Sequence, residues 1–175
     1  DTFYRINEHE YSLAPEFGKE SYEQLLAELT EADLLPDRIV HLWSLTPDES
    51  FRPGSSFLDR NQECGFYSLL FLTQTFEECL QEINIVTNGM VAVQDDENIR
   101  YPEKATMLGP VRVIPREFPE ITCRCIDVQL RTTKPSGLMS WVGLEGVRVE
   151  ESAASELATR LINELEEASS ASVIA

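Results

Sequence analysis

Cys64 and His41 are the residues whose types could make a nucleophile and its base. A thiolate attacks carbonyl carbon, and an imidazole within hydrogen-bond reach takes the thiol proton. Cys64 falls near the start of a helical pattern, where a thiolate is favoured, and the pair would then serve a small acyl hydrolase or transferase. His41 sits in an apolar run and is read as a structural imidazole hydrogen-bonded near a strand end rather than as a catalytic base. His9 lies among polar residues and reads as solvated. Asp95-Asp-Glu97 and Glu77-Glu78 offer carboxylate oxygens to a divalent cation, yet a solvated loop and a solvated helix face account for them too. Cys123 and Cys125 are one residue apart, so they share one strand face with Arg124 on the other. That suits small core side chains, because zinc sites use a spacer of about two to four residues. Neither a disulfide nor a metal site is expected.

Nucleotide chemistry on an α/β scaffold needs glycines at G-x-G-x-x-G, so that backbone can approach a pyrophosphate at a helix N-terminus. The glycines are Gly18, Gly54, Gly65, Gly89, Gly109, Gly137, Gly143 and Gly146, and no two have the G-x-G spacing. The phosphate-binding loop G-x-x-x-x-G-K-[ST] is missing as well. Carbonyl reduction by a tyrosine with Lys or Asn four residues on also finds no candidate. Tyr4, Tyr11, Tyr22, Tyr67 and Tyr101 are followed at that spacing by Glu8, Pro15, Leu26, Phe71 and Ala105. No catalytic, cofactor-binding or metal-binding residue is assigned from sequence. Trp43 reads as core packing and Trp141 as half-buried, although either could offer a platform to a ligand.

The elements that would position these residues alternate along the chain. Ser21-Tyr-Glu-Gln24 has the form of a capping box, and Tyr22, Leu25, Leu26 and Leu29 then follow helical spacing until Leu34-Leu-Pro36. Arg38 to Trp43 reads as a strand. Phe66, Leu69, Leu70, Thr73, Phe76, Glu77 and Leu80 repeat mostly at helical spacing and predict a long helix over 59–81. Ile83 to Thr87 reads as a strand, and Asn88-Gly89 as a turn into a short extension at Met90 to Val93. Pro102 opens a helix extending to Phe118 that Pro110 could kink, and Ile121 to Asp127 is a third strand. Leu130 to Gly146 is a connection. Ala153, Leu157, Leu161, Ile162 and Leu165 form the stripe of a last helix, and Ser172 to Ala175 begins a fourth strand. Such alternation predicts an α/β fold: a truncated Rossmann-like layer, mostly parallel, with helices on both faces. A flavodoxin-like strand order is the alternative.

The chain has 175 residues, which suits a single domain over 1–175. Its formal net charge of −17 disfavours nucleic acid and anionic membranes as partners. No apolar run approaches the roughly 20 residues of a membrane helix, and the first residues do not resemble a signal peptide, so a cytoplasmic setting is expected. A start at Asp1 and an end inside a strand suggest a piece of a longer protein.

Several segments together resemble the ketoreductase region of modular type I polyketide synthases. They are Arg38-Ile-Val-His-Leu-Trp-Ser-Leu45, Thr87-Asn-Gly89, Pro102-Glu-Lys-Ala105, Leu108-Gly-Pro110 and Val113-Ile-Pro-Arg-Glu-Phe-Pro119. The resemblance is to the N-terminal structural subdomain and covers most of residues 1 to 128; Gly137 to Glu151 departs from it. It implies a short-chain dehydrogenase/reductase-like half without catalysis or cofactor of its own. The partner implied is a second, catalytic half that uses NADPH to reduce a β-ketoacyl thioester on an acyl carrier protein. Contact with the carrier would be indirect, and other synthase domains would be neighbours. Two competing expectations remain: the Cys64/His41 enzyme, and a docking module of a multienzyme using the acidic helix Glu150 to Glu167.

Overall fold

The computed structural model describes residues 3–46, 56–92, 99–130, 132–133, 148–149, 151–166 and 173–174. It opens with an antiparallel hairpin, β1 (Phe3–Asn7) and β2 (Glu10–Leu13), which the sequence reading missed. The reason is visible in its burial. Most β1 side chains are exposed, so no alternation of apolar and polar residues marks the strand. A short 3-10 turn at Pro15–Phe17 then leads through Gly18, with φ +81°, into α1 (Glu20–Glu31). The expected capping box does not form. Lys19 holds the cap position without a side-chain bond, and Ser21 is buried inside the first turn.

Beyond α1 come β3 (Arg38–His41), α2 (Ser56–Asn61), a π-helical segment Gln62–Tyr67 and α3 (Ser68–Phe76). β4 (Glu82–Asn88) ends in the predicted turn, with Gly89 at φ +67°. Met90 and Val91 do not extend into a strand; the Asp127 carboxylate binds their amides instead. A 3-10 turn, Pro102–Met107, runs directly into α4 (Leu108–Glu117). Pro110 therefore falls in the first turn of α4, where a missing N–H is tolerated, and Pro115 lies near its end. β5 (Thr122–Val128) follows, then a small antiparallel pair, β6 (Thr132–Thr133) and β7 (Arg148–Val149), then α5 (Glu151–Glu166) and β8 (Val173–Ile174).

β3, β4, β5 and β8 form one parallel sheet in that order, as expected for a truncated Rossmann-like layer. Register pairs Ile83 with Cys123 and Ile85 with Cys125, which sets these four side chains on one face. They pack against Leu69 and Phe76 of α3, Met107, and Val111 and Ile114 of α4. Each such buried aliphatic or aromatic side chain stabilises by about 1.5–3 kcal/mol, so this face holds the layers together. Cys123 and Cys125 are core filler as expected, and burial pushes both thiols up to about 12.

The other face carries a polar clasp. Arg124 is buried; its Nε donates to Asn84 Oδ1 at 3.0 Å and its guanidinium pairs with Glu82 at 2.8 Å. It also reaches the Glu164 carbonyl of α5, so helices lie on both faces of the sheet. Burial alone would raise the Glu82 carboxyl, but the Asn84 amide, Arg38 and Arg124 together outweigh it and hold it below the usual carboxylate range. Ile162, read as part of the α5 stripe, is 55% exposed. Trp141, Asp95-Asp-Glu97 and most of the Leu130 to Gly146 connection lie outside the described residues.

Gly89 is the position where backbone freedom matters. Its φ of +67° is costly for a side-chain-bearing residue, and a Cβ there would meet the Tyr101 ring at 3.0 Å. Gly89→Ala should lower unfolding free energy by about 1–3 kcal/mol. Urea denaturation measures this, and an unchanged midpoint would contradict it.

Candidate functional site

Ligands of open α/β sheets bind outside the carboxyl ends of the strands, where loops and helix N-termini meet. Among the described residues, side chains of the protein itself occupy that end beside β3 and β4. Asn88 closes β4 and bridges to the segment after β3: its Nδ2 donates to the Thr46 carbonyl at 2.7 Å, and its Oδ1 accepts from the Thr46 amide at 2.8 Å. Into this junction comes Lys104, from the 3-10 turn before α4, only 1% exposed. Its Nζ donates to the Ser44 carbonyl at 2.7 Å and Thr46 Oγ1 at 2.9 Å. It also reaches Asn88 Oδ1 at 3.0 Å and the Asn88 carbonyl at 3.2 Å. The Tyr101 ring lies 4.3 Å from the same nitrogen, a cation–π contact.

The neighbouring turn is tied down in the same way. The Gly89 carbonyl accepts from the Arg100 and Tyr101 amides, and Asp127, near the end of β5, accepts from the Met90 and Val91 amides. Sequence reasoning did not single out Lys104. A lysine between helix formers looks solvated, and the one cue was its place just after Tyr101-Pro102.

His41 and Cys64 do not form a nucleophilic pair. The His41 Nε2 lies 3.0 Å from Ser68 Oγ, and Nδ1 has no hydrogen-bond partner. The ring is buried edge-on to Trp43, which itself is 43% exposed and so is not the core residue expected. Tyr22 directs its hydroxyl toward Ser68 without reaching hydrogen-bonding geometry. Cys64 sits within the π-helical segment and so has no helix N-terminus to favour a thiolate. Burial pushes its thiol up, against the opposing pull of Arg60. The structural reading of His41 fits the geometry, and a reactive Cys64 does not. Among the described residues no group of three or more His, Cys, Asp or Glu could hold a metal ion.

An open apolar groove lies elsewhere, between α3 and α4. It encloses about 400 Å³ and is lined chiefly by Phe66, Leu70, Gly109, Pro110, Val113 and Phe118. Phe66 and Leu70 face this groove, and the buried side of the helix is made by Leu69 and Phe76 together with Gly65, Ser68 and Thr73. Gly65 allows the closest approach, since a Cβ would meet Met107 Cγ and Sδ at 3.0 Å. Val113 is 48% exposed, and Tyr67 and Leu70 are exposed beside it.

Residues 1–143 match the family described as Beta-ketoacyl synthase-like, N-terminal. The chain belongs to that family. No curated protein matches it. Among solved structures it is similar to one titled "Adenylation, ketoreductase, and pseudo Asub multidomain structure of a keto acid-selecting NRPS module", with a TM-score of 0.73 and 24% identity. The match covers 99% of this chain and 13% of that one, and at this identity it shows the fold. The fold is the α/β layer that the sequence implied. Among the described residues no helix is long and apolar enough to cross a membrane.

The buried imidazole gives the domain a pH dependence. Burial lowers the His41 pKa from 6.5 to about 4, so the folded chain holds it neutral. The unfolded chain takes up that proton first as pH falls. His41 therefore contributes stability that is complete above about pH 6.5 and is lost on the way down to about pH 4, by about 3 kcal/mol in all. His41→Gln should show a shallower loss than the unmodified chain across pH 6.5 to 4 in parallel urea titrations. Equal slopes would refute the assignment.

Proposed function

We propose that the chain is a structural subdomain, without catalysis of its own, supporting the NADPH-dependent ketoreductase of a modular polyketide synthase. One observation carries the reading. The carboxyl end of the sheet, where a nucleotide would sit, is packed with Lys104, Asn88 and Tyr101, while an apolar groove opens outward between α3 and α4. A filled crevice suits a half that binds no cofactor, and an open apolar groove suits one that packs on a neighbour. The absence of glycine spacing and of a paired Tyr and Lys points the same way.

On this reading the chain acts through position. The catalytic half would hold NADPH and the reducing tyrosine, and would meet the β-ketoacyl thioester carried by an acyl carrier protein. This half would fix its orientation by burying the α3/α4 groove. Small displacements matter there, because a misplacement of about 1 Å costs roughly 10²-fold in rate. Other domains of the synthase would be neighbours, and contact with the carrier would be indirect.

Two measurements test the reading. NADPH titrated against this chain should give no saturable binding, and saturation would end the proposal. Leu70→Glu with Val113→Glu should weaken association with a separately produced ketoreductase catalytic half by roughly tenfold or more, since each places a charge in a desolvated apolar contact. Both residues are already exposed, so thermal stability of the variant chain should change little. Unaltered association would show that the groove is not the contact surface.

A further inference from the structure

We infer that the oxygens around Lys104 Nζ form a socket for a primary ammonium group, and that filling this socket fastens the segments after β3 and β4 to the start of α4. The inference concerns the folded chain itself and holds whether or not it supports a catalytic half.

Four oxygens converge on one nitrogen: the Ser44 carbonyl at 2.7 Å, Thr46 Oγ1 at 2.9 Å, Asn88 Oδ1 at 3.0 Å and the Asn88 carbonyl at 3.2 Å. Two of the four are backbone carbonyls, whose positions are set by the turns that carry them. An ammonium offers three protons in a tetrahedral arrangement, so it can satisfy oxygens arriving from several directions. A guanidinium is planar and longer, and would need a different set of acceptors. The Tyr101 face, 4.3 Å away, adds an electrostatic preference for a cation over a neutral group of the same size. Ser44 and Asn88 are buried alongside Lys104, so these acceptors depend on the ammonium in the intact chain.

The counterargument is desolvation. Exchanging a buried ion for a well-packed apolar side chain is often neutral, and an unbranched Met would fit the Lys104 stem. The geometry opposes that outcome, because Met would leave oxygens from two chain segments facing an apolar tip. Among the described residues the remaining hydrogen bonds between these segments are those of the Asn88 amide with Thr46 and that of the Thr87 hydroxyl to the Ser44 carbonyl. Lys104 is also the member that ties them to α4, since the 3-10 turn carrying it runs into α4 without a break.

The test is chemical rescue in the full chain. Lys104→Ala removes the three methylenes and the nitrogen that n-propylammonium restores. The folding equilibrium constant should fall by roughly 10²- to 10³-fold. Addition of n-propylammonium at about 0.1 M should recover at least several-fold of that loss by mass action. Sodium at the same ionic strength and n-propanol should not, and n-propylammonium should leave the Gly89→Ala chain unaffected. Rescue by propanol to the same extent, or a Lys104→Met chain as stable as the unmodified one, would overturn the inference. Should Lys104→Ala fail to fold under every condition, the unmodified chain decides. Its Lys104 ammonium should give a slowly exchanging 1H–15N resonance that disappears in Lys104→Met, and a rapidly exchanging one would refute the socket.

Discussion

Parallel strands end in backbone groups that the sheet itself does not satisfy, and any fold of this kind must answer for them. Most of its relatives in architecture leave that end open for a ligand. Among the described residues, this chain satisfies the ends of β3 and β4 from within. Asn88 couples the ends of β3 and β4, and Lys104 brings the start of α4 to the same point. The direction of α4 follows from that fastening. So does the position of Met107, whose sulfur accepts from the Ser44 hydroxyl at 3.1 Å and rests against Gly65. One polar junction thus sets the spacing of the two helices that bound the apolar groove.

The two faces of the sheet do different work. On the Ile83 and Cys123 face, apolar packing holds α3 and α4, with dispersion and burial spread over many side chains. On the Arg124 face, a guanidinium buried among Glu82, Asn84 and the Glu164 carbonyl holds α5 by a small number of directional contacts. Removing one methylene group is felt locally on the first face. Removing one charge on the second leaves a buried partner to be solvated.

Periodicity made the central strands and α4 legible, because buried residues there fall at the spacing that the element dictates, and α5 through a stripe of half-buried leucines, Leu157, Leu161 and Leu165. Ile83, Ile85, Cys123 and Cys125 are examples for strands, and Val111 with Ile114 for α4. Other features left no such trace. The β1–β2 hairpin is mostly exposed, so its pairing rests on backbone bonds between residues of ordinary polarity. Phe66 and Leu70 match the helical pattern by residue type, yet the helix buries Leu69, Thr73 and Phe76 and leaves Phe66 and Leu70 lining the groove. Ser21 has the composition of a cap, but the preceding 3-10 turn and Gly18 bring the chain into the helix two residues early. Lys104 was hidden for a related reason: its burial depends on acceptors about 60 and 16 residues away, and no local window contains them.

His41 shows how the same geometry separates structure from chemistry. A base in an active site needs a proton acceptor near neutral pKa and a path to substrate. His41 has neither: its ring is enclosed, its Nε2 is engaged by Ser68, and burial holds it neutral far below physiological pH. The partner that a nucleophile would require, Cys64, is held as a thiol by its own burial. A histidine and a cysteine within one domain therefore carry no catalytic weight until distances and solvation are known. Here both point to a fold whose polar interior is used for fastening, with its open apolar surface placed where a neighbouring domain could cover it.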